Sequence, residues 1–470
     1  MSTSEDAHNR LDDASNHSSH SRPSLATIDE AHKGLRRQEA PHSLRAADEA
    51  AVDIVSVHTE ESDTKQEDGS FSTYQLQLEK LCHSLWPALP KEAIEFEPIE
   101  GSDWSHVIGV TIKIPTPRDR GRRALQKVRR ALKSKDRIVD TEEQHYVLRV
   151  PRSKSVWIEH EVATVNYVRQ YTNVPAPGIV EFDCTKDDAL GKQFVLQRRT
   201  AGKTLLSVFP TLNHQQKASV AKAFGQVLLA MQVDSHLSAG LLSLNLKLAE
   251  EDSDTELVQF PVSDRIPSSH HLSPPTEPSH PQSTLDFLLM QLKRWSALRD
   301  HTELEWDRMQ AMAWQMALQD LFDDDRYYLC LLALEPRNIL VTIRDEATVT
   351  FEAILGWGNA IFAPKFMACA PPTWLWNCDD NGKNADDSSE PDDVAQEVKH
   401  AFEKVVGKDY LRYAYKPEYR LARKLCDFAI HGMESRQEEV HEMLTGWEVL
   451  RRVKLREDMK RTRHKLQGRS

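Results

Sequence analysis

The order of periodicities along the chain predicts an α+β protein of two lobes, a small β-rich lobe followed by a larger helical one. Between residues 93 and 200, short stretches alternate apolar and polar side chains in the two-residue period of strands, broken by one helical stripe. From Asn213 onward the helical period dominates. A third observation trims the start. The first 70 residues hold no Phe, Trp or Tyr, and their formal charge is 7 − 15 = −8. Such a segment cannot bury enough apolar surface to offset its ordering entropy, so residues 1–75 are expected to be a disordered acidic tail.

The elements then follow in order. Ala93–Ile114 reads as strand, glycine-containing turn and strand, and His145–Val150 as a short alternating strand. Ile158, Val162, Val165 and Val168 fall on one helical face. Ile179–Phe182 and Phe194–Gln197 complete five strands and one helix, giving an N-terminal lobe over 76–200. Asn213 followed by Gln216 has the spacing of a capping box, and Val220, Phe224, Val227 and Met231 continue its stripe. Thr284–Phe322 is a second helical region, in which Met309, Met312 and Met316 are expected in the core. Ile339–Ile343 and Thr348–Ile354 predict a hairpin, and Asp393–Lys465 is helical again. Within this lobe, 201–470, Glu250–Ser283 and Asp379–Asp393 are rich in Ser, Pro, Asp, Asn and Gly and read as flexible surface insertions.

Composition bounds the function. The chain has 470 residues, 40% of them hydrophobic, with 60 Lys+Arg against 72 Asp+Glu, a formal charge of −12. No stretch reaches the ~18 apolar residues of a membrane span, and Met1–Asp6 lacks the basic and apolar regions of a signal peptide. A cytoplasmic protein is therefore expected. The six cysteines are scattered without a C-x-x-C pair, and no His-Glu-x-x-His spacing occurs, so zinc and disulfide readings are dropped. The acidic balance argues against a nucleic-acid partner.

Particular words in this order resemble the aminoglycoside-phosphotransferase-like kinases, especially their fungal branch. They are Tyr146–Arg152 (YVLRVPR), Glu161–Thr164 (EVAT), Phe194–Arg199 (FVLQRR), Pro336–Leu340 (PRNIL), Ala363–Met367 (APKFM) and Lys416–Arg420 (KPEYR). The resemblance implies a protein-kinase-like fold with ATP and magnesium between the lobes, and phosphoryl transfer to a small-molecule hydroxyl, a chemistry of positioning and charge neutralisation. It places Glu100–Ser105 at the phosphate-covering turn, Arg149 at the cation that grips the phosphates, Glu161 at the carboxylate that orients that cation, and Asn338 at a magnesium ligand. On their own, Arg149 reads more readily as a solvated strand residue and Glu161 as one charge on an exposed helix face.

The same resemblance exposes losses. Where the family has His-x-Asp-x-x-x-x-Asn, this chain reads Leu331-Leu332-Ala333-Leu334-Glu335-Pro336-Arg337-Asn338, so Leu331 stands for the His and Ala333 for the catalytic Asp. The metal motif Leu-Asp-Trp-Asp becomes Leu355-Gly356-Trp357-Gly358. A positioned base supplies ~10²–10⁴-fold, and magnesium is usually held by one or two carboxylates. The expectation is a catalytically impaired pseudokinase that binds a ligand or partner, with ATP and magnesium held weakly if at all. The alternative is an active ATP-dependent phosphotransferase whose base and metal ligand come from Glu335 or Glu352. Arg118–Arg137 carries ten Lys/Arg against two Asp. It reads either as a solvated insertion or as a docking site for a protein or anionic surface. The basic C-terminal stretch Arg451–Arg469 has the same two readings.

Overall fold

The five-stranded sheet of the N-terminal lobe is held by alternation. Its strands are β1 (Ile94–Ile99), β2 (Ser105–Pro115), β3 (Thr141–Pro151), β4 (Ile179–Asp183) and β5 (Phe194–Arg198), in the antiparallel order β1-β2-β3-β5-β4. Ile108, Val110 and Ile112 of β2 and Tyr146, Leu148 and Val150 of β3 point to one face and are buried. That face is covered by helix α1 (Phe71–Leu85) through Leu78, Leu81 and Cys82. Each fully buried aliphatic side chain of this layer contributes about 1.5–3 kcal/mol. The helix begins inside the segment expected to be tail, because its apolar stripe is short and its remaining residues are polar. The opposite sheet face carries Glu97, Gly109, Val147 and Arg149. Helix α2 (Ile158–Tyr171) lies against its β5 side, where Ile158 and Val162 pack on Val195.

These elements belong to a computed structural model that describes residues 71–99, 105–115, 141–152, 157–185, 190–244, 255–262, 277–298, 303–376 and 393–467. The expected turn at residues 100–104, the basic run 118–137 and the insertion 379–392 lie outside the described residues, as do residues 1–70. All described residues fall in one unit, Asp48–Ser470.

The larger lobe starts with β6 (Lys203–Thr204) and helix α3 (His214–Met231). The expected capping box is formed, with Asn213 Oδ1 accepting from the Gln216 amide at 3.0 Å and Gln216 Oε1 accepting from the Asn213 amide at 3.1 Å. Then come β7 (Ser235–His236), β8 (Leu241–Leu244), β9 (Thr255–Val258), α4 (Thr284–Ser296) and α5 (Glu303–Ala317). Strand β9 corrects the reading of 250–283 as a surface insertion. It pairs with β8, and Leu257, Val258 and Phe260 are buried in the main core. The flanking Pro, Ser and His conceal a run of apolar residues too short to register as a strand. Met309, Met312 and Met316 are buried as expected.

Four strands position the cleft floor: β10 (Tyr327–Leu331), β11 (Ile339–Ile343), β12 (Val349–Ile354) and β13 (Ala360–Pro364). β10 pairs with β13, and β11 with β12. The pairing is nested, so the β10–β11 connection and the β12–β13 connection must lie side by side. Backbone bonds stitch them, Leu355 N–H to Asn338 O at 2.7 Å and Leu332 N–H to Asn359 O at 3.2 Å. The last helices are α6 (Asp393–Tyr415), α7 (Pro417–His431) and α8 (Gln437–Gln467). The buried Arg423 of α7 donates to Tyr413 O at 2.7 Å and Ala414 O at 3.1 Å, satisfying carbonyls at the end of α6. No described helix is long and apolar enough to cross a membrane.

Candidate functional site

The site residues expected from the sequence come together, apart from Leu331, at the junction of the sheet, α2 and the two nested connections. Arg149 projects from the open face of β3. Its Nη1 is ion-paired and hydrogen-bonded to Oε1 of Glu161, one turn into α2. Glu161 is buried, whereas the Arg149 side chain keeps 24% of its exposure. A charge-assisted bond of this kind fixes the guanidinium in place while its remaining N–H groups stay available.

Glu161 in turn reaches the floor. A Cβ placed on Gly358 would lie 3.8 Å from Glu161 Oε2. Two residues back, Gly356 adopts φ +81°, the left-handed region that favours glycine. A Cβ there would meet Asn338 Nδ2 at 3.2 Å. Asn338 completes the string by donating its Nδ2 to Ala333 O at 2.8 Å, a carbonyl that also accepts from the Glu335 amide at 2.9 Å. Arg149, Glu161, Gly358, Gly356, Asn338 and Ala333 therefore form one continuous chain of neighbours. Between the two glycines Trp357 turns inward, 1% exposed, with Nε1 donating to Ile354 O at 2.7 Å.

Leu331 goes elsewhere. It is the last residue of β10, opposite Ala360, and its side chain is buried in the core. Leu332 and Leu334 pack against the same core. The two carboxylates considered as substitutes are each engaged by a neighbouring arginine. Glu335 Oε2 lies 2.5 Å from Arg337 Nη2. Glu352 Oε1 lies 2.7 Å from Arg344 Nη2 and accepts from Thr350 Oγ1 at 2.9 Å. Among the described residues, no group of three His, Cys, Asp or Glu is placed to hold a metal ion. Among the described residues there is no activated thiol either: burial pushes Cys82, Cys184 and Cys369 up to about 12, and Cys330 and Cys426 well above the ordinary thiol value.

One participant has no sequence signal. His160, beside Glu161, is buried, with Nδ1 2.7 Å from Leu242 O and Nε2 2.8 Å from Ala360 O. It ties α2 to β8 and to the strand that leaves the floor. Burial holds its pKa below the ordinary imidazole value, against the pull of the two carbonyls and of Glu161 and Glu159. A lone histidine inside an amphipathic helix carries no motif, so only the three-dimensional arrangement reveals it.

A two-lobed, protein-kinase-like architecture with a cation–carboxylate pair facing a two-loop floor defines the class of protein. Residues 134–364 match the model of the phosphotransferase enzyme family APH, so the chain carries an APH-like phosphotransferase domain. Among solved structures, a thermostable variant of aminoglycoside phosphotransferase APH(4)-Ia with ADP and hygromycin B is similar at 12% identity. The match covers 80% of this chain and 98% of that one, with a TM-score of 0.42. The GDP and kanamycin complex of APH(2'')-IIIa is similar at 14% identity, covering 81% and 99%, with a TM-score of 0.40. No curated protein sequence matches.

Proposed function

We propose that this protein is a catalytically impaired member of the phosphotransferase group that acts by binding a phosphate-bearing ligand in its cleft. The observation that carries this reading is the floor. The positions of the base and of the metal-binding carboxylate are Ala333 and Gly356, and the two carboxylates weighed as substitutes, Glu335 and Glu352, are paired to Arg337 and Arg344. Ala and Gly can neither accept a proton nor bind a cation through a side chain. Asn338, whose amide nitrogen donates to Ala333 O, can offer a cation its neutral Oδ1 but no charge. Magnesium demands several oxygen ligands with carboxylates among them, and this donor set does not fit it. Arg149, oriented by Glu161, does fit an anionic oxygen. Binding without metal is the consequence.

The test is a thermal-shift titration of the full chain with ATP and with inorganic tripolyphosphate, with and without Mg²⁺, alongside a phosphoryl-transfer assay on small hydroxyl compounds. The expected result is a shift independent of Mg²⁺ and no transfer above background. A shift that needs Mg²⁺, together with turnover, would overturn the proposal in favour of an active phosphotransferase.

A further inference from the structure

The open face of the N-terminal sheet carries a second ion pair, away from Arg149. Glu97 of β1, Gly109 of β2, Val147 of β3 and Gln197 of β5 form one cross-strand row. Arg199, the first residue after β5, bonds by its amide to His145 O of β3 at 3.0 Å and sends its side chain back along this face. Its Nη1 is paired to Oε1 of Glu97. The bridge therefore spans from the first strand of the sheet to the end of β5, passing over β2 and β3.

Gly109 explains how it fits. A Cβ there would lie 2.6 Å from Glu97 Cγ and 2.7 Å from Glu97 Oε1, so the Glu97 side chain lies directly on the backbone of β2. Glycine in the middle of an otherwise alternating strand marks this kind of close approach. Arg149 lies two residues beyond Val147 on the same face of β3, about 6.6 Å along the strand. The other sheet face is sealed by α1. Residues 199–202 also lead the chain into the second lobe, where Gly202, at φ +115°, lets the backbone press against Val341 O. A ligand whose phosphates sit at Arg149 and whose body runs toward this linker meets Gly109, the point of the sheet on which the Glu97 side chain lies.

We infer that Glu97 and Arg199 determine the ligand class of the cleft: their ion pair occupies the sheet surface on which a nucleobase would rest, leaving Arg149 to a polyphosphate group that carries no base. This rests on the reading of Arg149 as an anion-binding residue. A base entering this end must displace a charged pair that is half exposed and hydrated in the free protein, and its apolar faces do not replace those contacts. A ligand made of phosphate alone ends before reaching the pair.

Isothermal titration of the full chain with ATP and with inorganic tripolyphosphate tests the inference, without Mg²⁺. The variants are the double substitution Glu97→Gln/Arg199→Gln, which leaves net charge unchanged, and Gly109→Ala, which unseats Glu97 without touching either charge. Loss of a half-exposed pair is a minor perturbation to folding. The wild type is expected to bind tripolyphosphate at least as tightly as ATP. Both variants are expected to gain about tenfold in ATP affinity while tripolyphosphate changes by less than about twofold. Tighter binding of ATP than of tripolyphosphate by the wild type overturns the inference. So does an unchanged or weaker ATP affinity in the double variant, the result expected if the guanidinium were a stacking platform for the base. Absence of binding by all the proteins overturns it as well. Arg149→Met tests the underlying reading separately: tripolyphosphate binding that survives this change refutes the role of Arg149 whatever the other variants do.

Discussion

On the sheet side of the cleft, Arg149 and Glu161 are joined side chain to side chain, and a buried histidine next to Glu161 braces the helix that carries it. On the floor, the positions that face them are an alanine and two glycines, and what holds the loops together is backbone: Leu355 to Asn338, Leu332 to Asn359, Glu335 to Ala333. The gripping half depends on a charged pair, whereas the floor is held mainly by backbone bonds and by the uncharged side chains of Asn338 and Trp357. The contrast shows that the geometry of such a floor and its chemistry are separable. Nested strand pairing and an inserted tryptophan set the loop positions, so loss of the carboxylates leaves the architecture standing.

If that is right, the most damaging change on the floor is to its packing. Trp357→Ala removes a side chain that is 1% exposed, together with its hydrogen bond to Ile354 O. The expected cost is about 3–5 kcal/mol, read as a fall in denaturation midpoint. A cost below about 1 kcal/mol would mean that the loops are held by something other than Trp357. Next comes the gripping half. Glu161→Ala leaves Arg149 without its partner at a site where the guanidinium is only partly hydrated, for an expected cost of about 1–3 kcal/mol. Anion binding should weaken with it, because the guanidinium is no longer oriented. Equal anion affinity in Glu161→Ala and wild type would show that the pair is structural only.

Much of this was legible in the sequence, and the exceptions have physical causes. Five strands and the helix at Ile158 follow from alternation and a clean apolar stripe, whereas the Arg149–Glu161 pairing is what the family resemblance implies, since on their own the two residues read as solvated charges. Helix α1 was obscured by its polar exposed side, and β9 by the Pro, Ser and His around it. The side-chain bridges escaped for another reason. Glu97 and Arg199 are 102 residues apart in the chain, and His160 reaches Ala360 across 200. No local pattern encodes a contact at that separation. Gly109 is the exception, a glycine amid alternating residues that signals a close approach without saying of what.

His160 links the two halves and makes the comparison sensitive to pH. Burial holds its folded-state pKa below the unfolded value of about 6.5. For a group depressed in this way, the stabilisation is fully present above the unfolded pKa and is lost as pH falls below it, since the unfolded chain binds the proton more readily. Thermal melts from pH 8 to pH 5 should therefore show the wild type losing more stability than His160→Ala. The variant itself should be less stable by about 1–3 kcal/mol at pH 8, because the neutral imidazole donates to one of the two buried carbonyls and that carbonyl loses its donor. Parallel melting curves for the two proteins would mean that His160 does not titrate between its folded and unfolded states in this range.

The smallest expected effects decide between the impaired reading and an active one. Glu335 and Glu352 are partly exposed and paired to arginines that are more exposed still. Replacing either by Gln should cost about 0–1 kcal/mol, because solvent screens such pairs and the neighbouring backbone bonds remain. Neither change should alter Mg²⁺-independent anion binding, since the ion pair of each carboxylate turns it toward an arginine of its own segment and not toward Arg149. An active enzyme that recruited one of these carboxylates makes the opposite prediction: unchanged stability with loss of turnover. A floor with a hidden base would be revealed by activity that disappears in Glu335→Gln or Glu352→Gln while the melting temperature stays put. Glu352→Gln is the sharper of the two, because Thr350 and Arg344 already account for the polar contacts of Glu352 Oε1. For that carboxylate to reach Gly356, the end of strand β12 would have to break its pairing with β11.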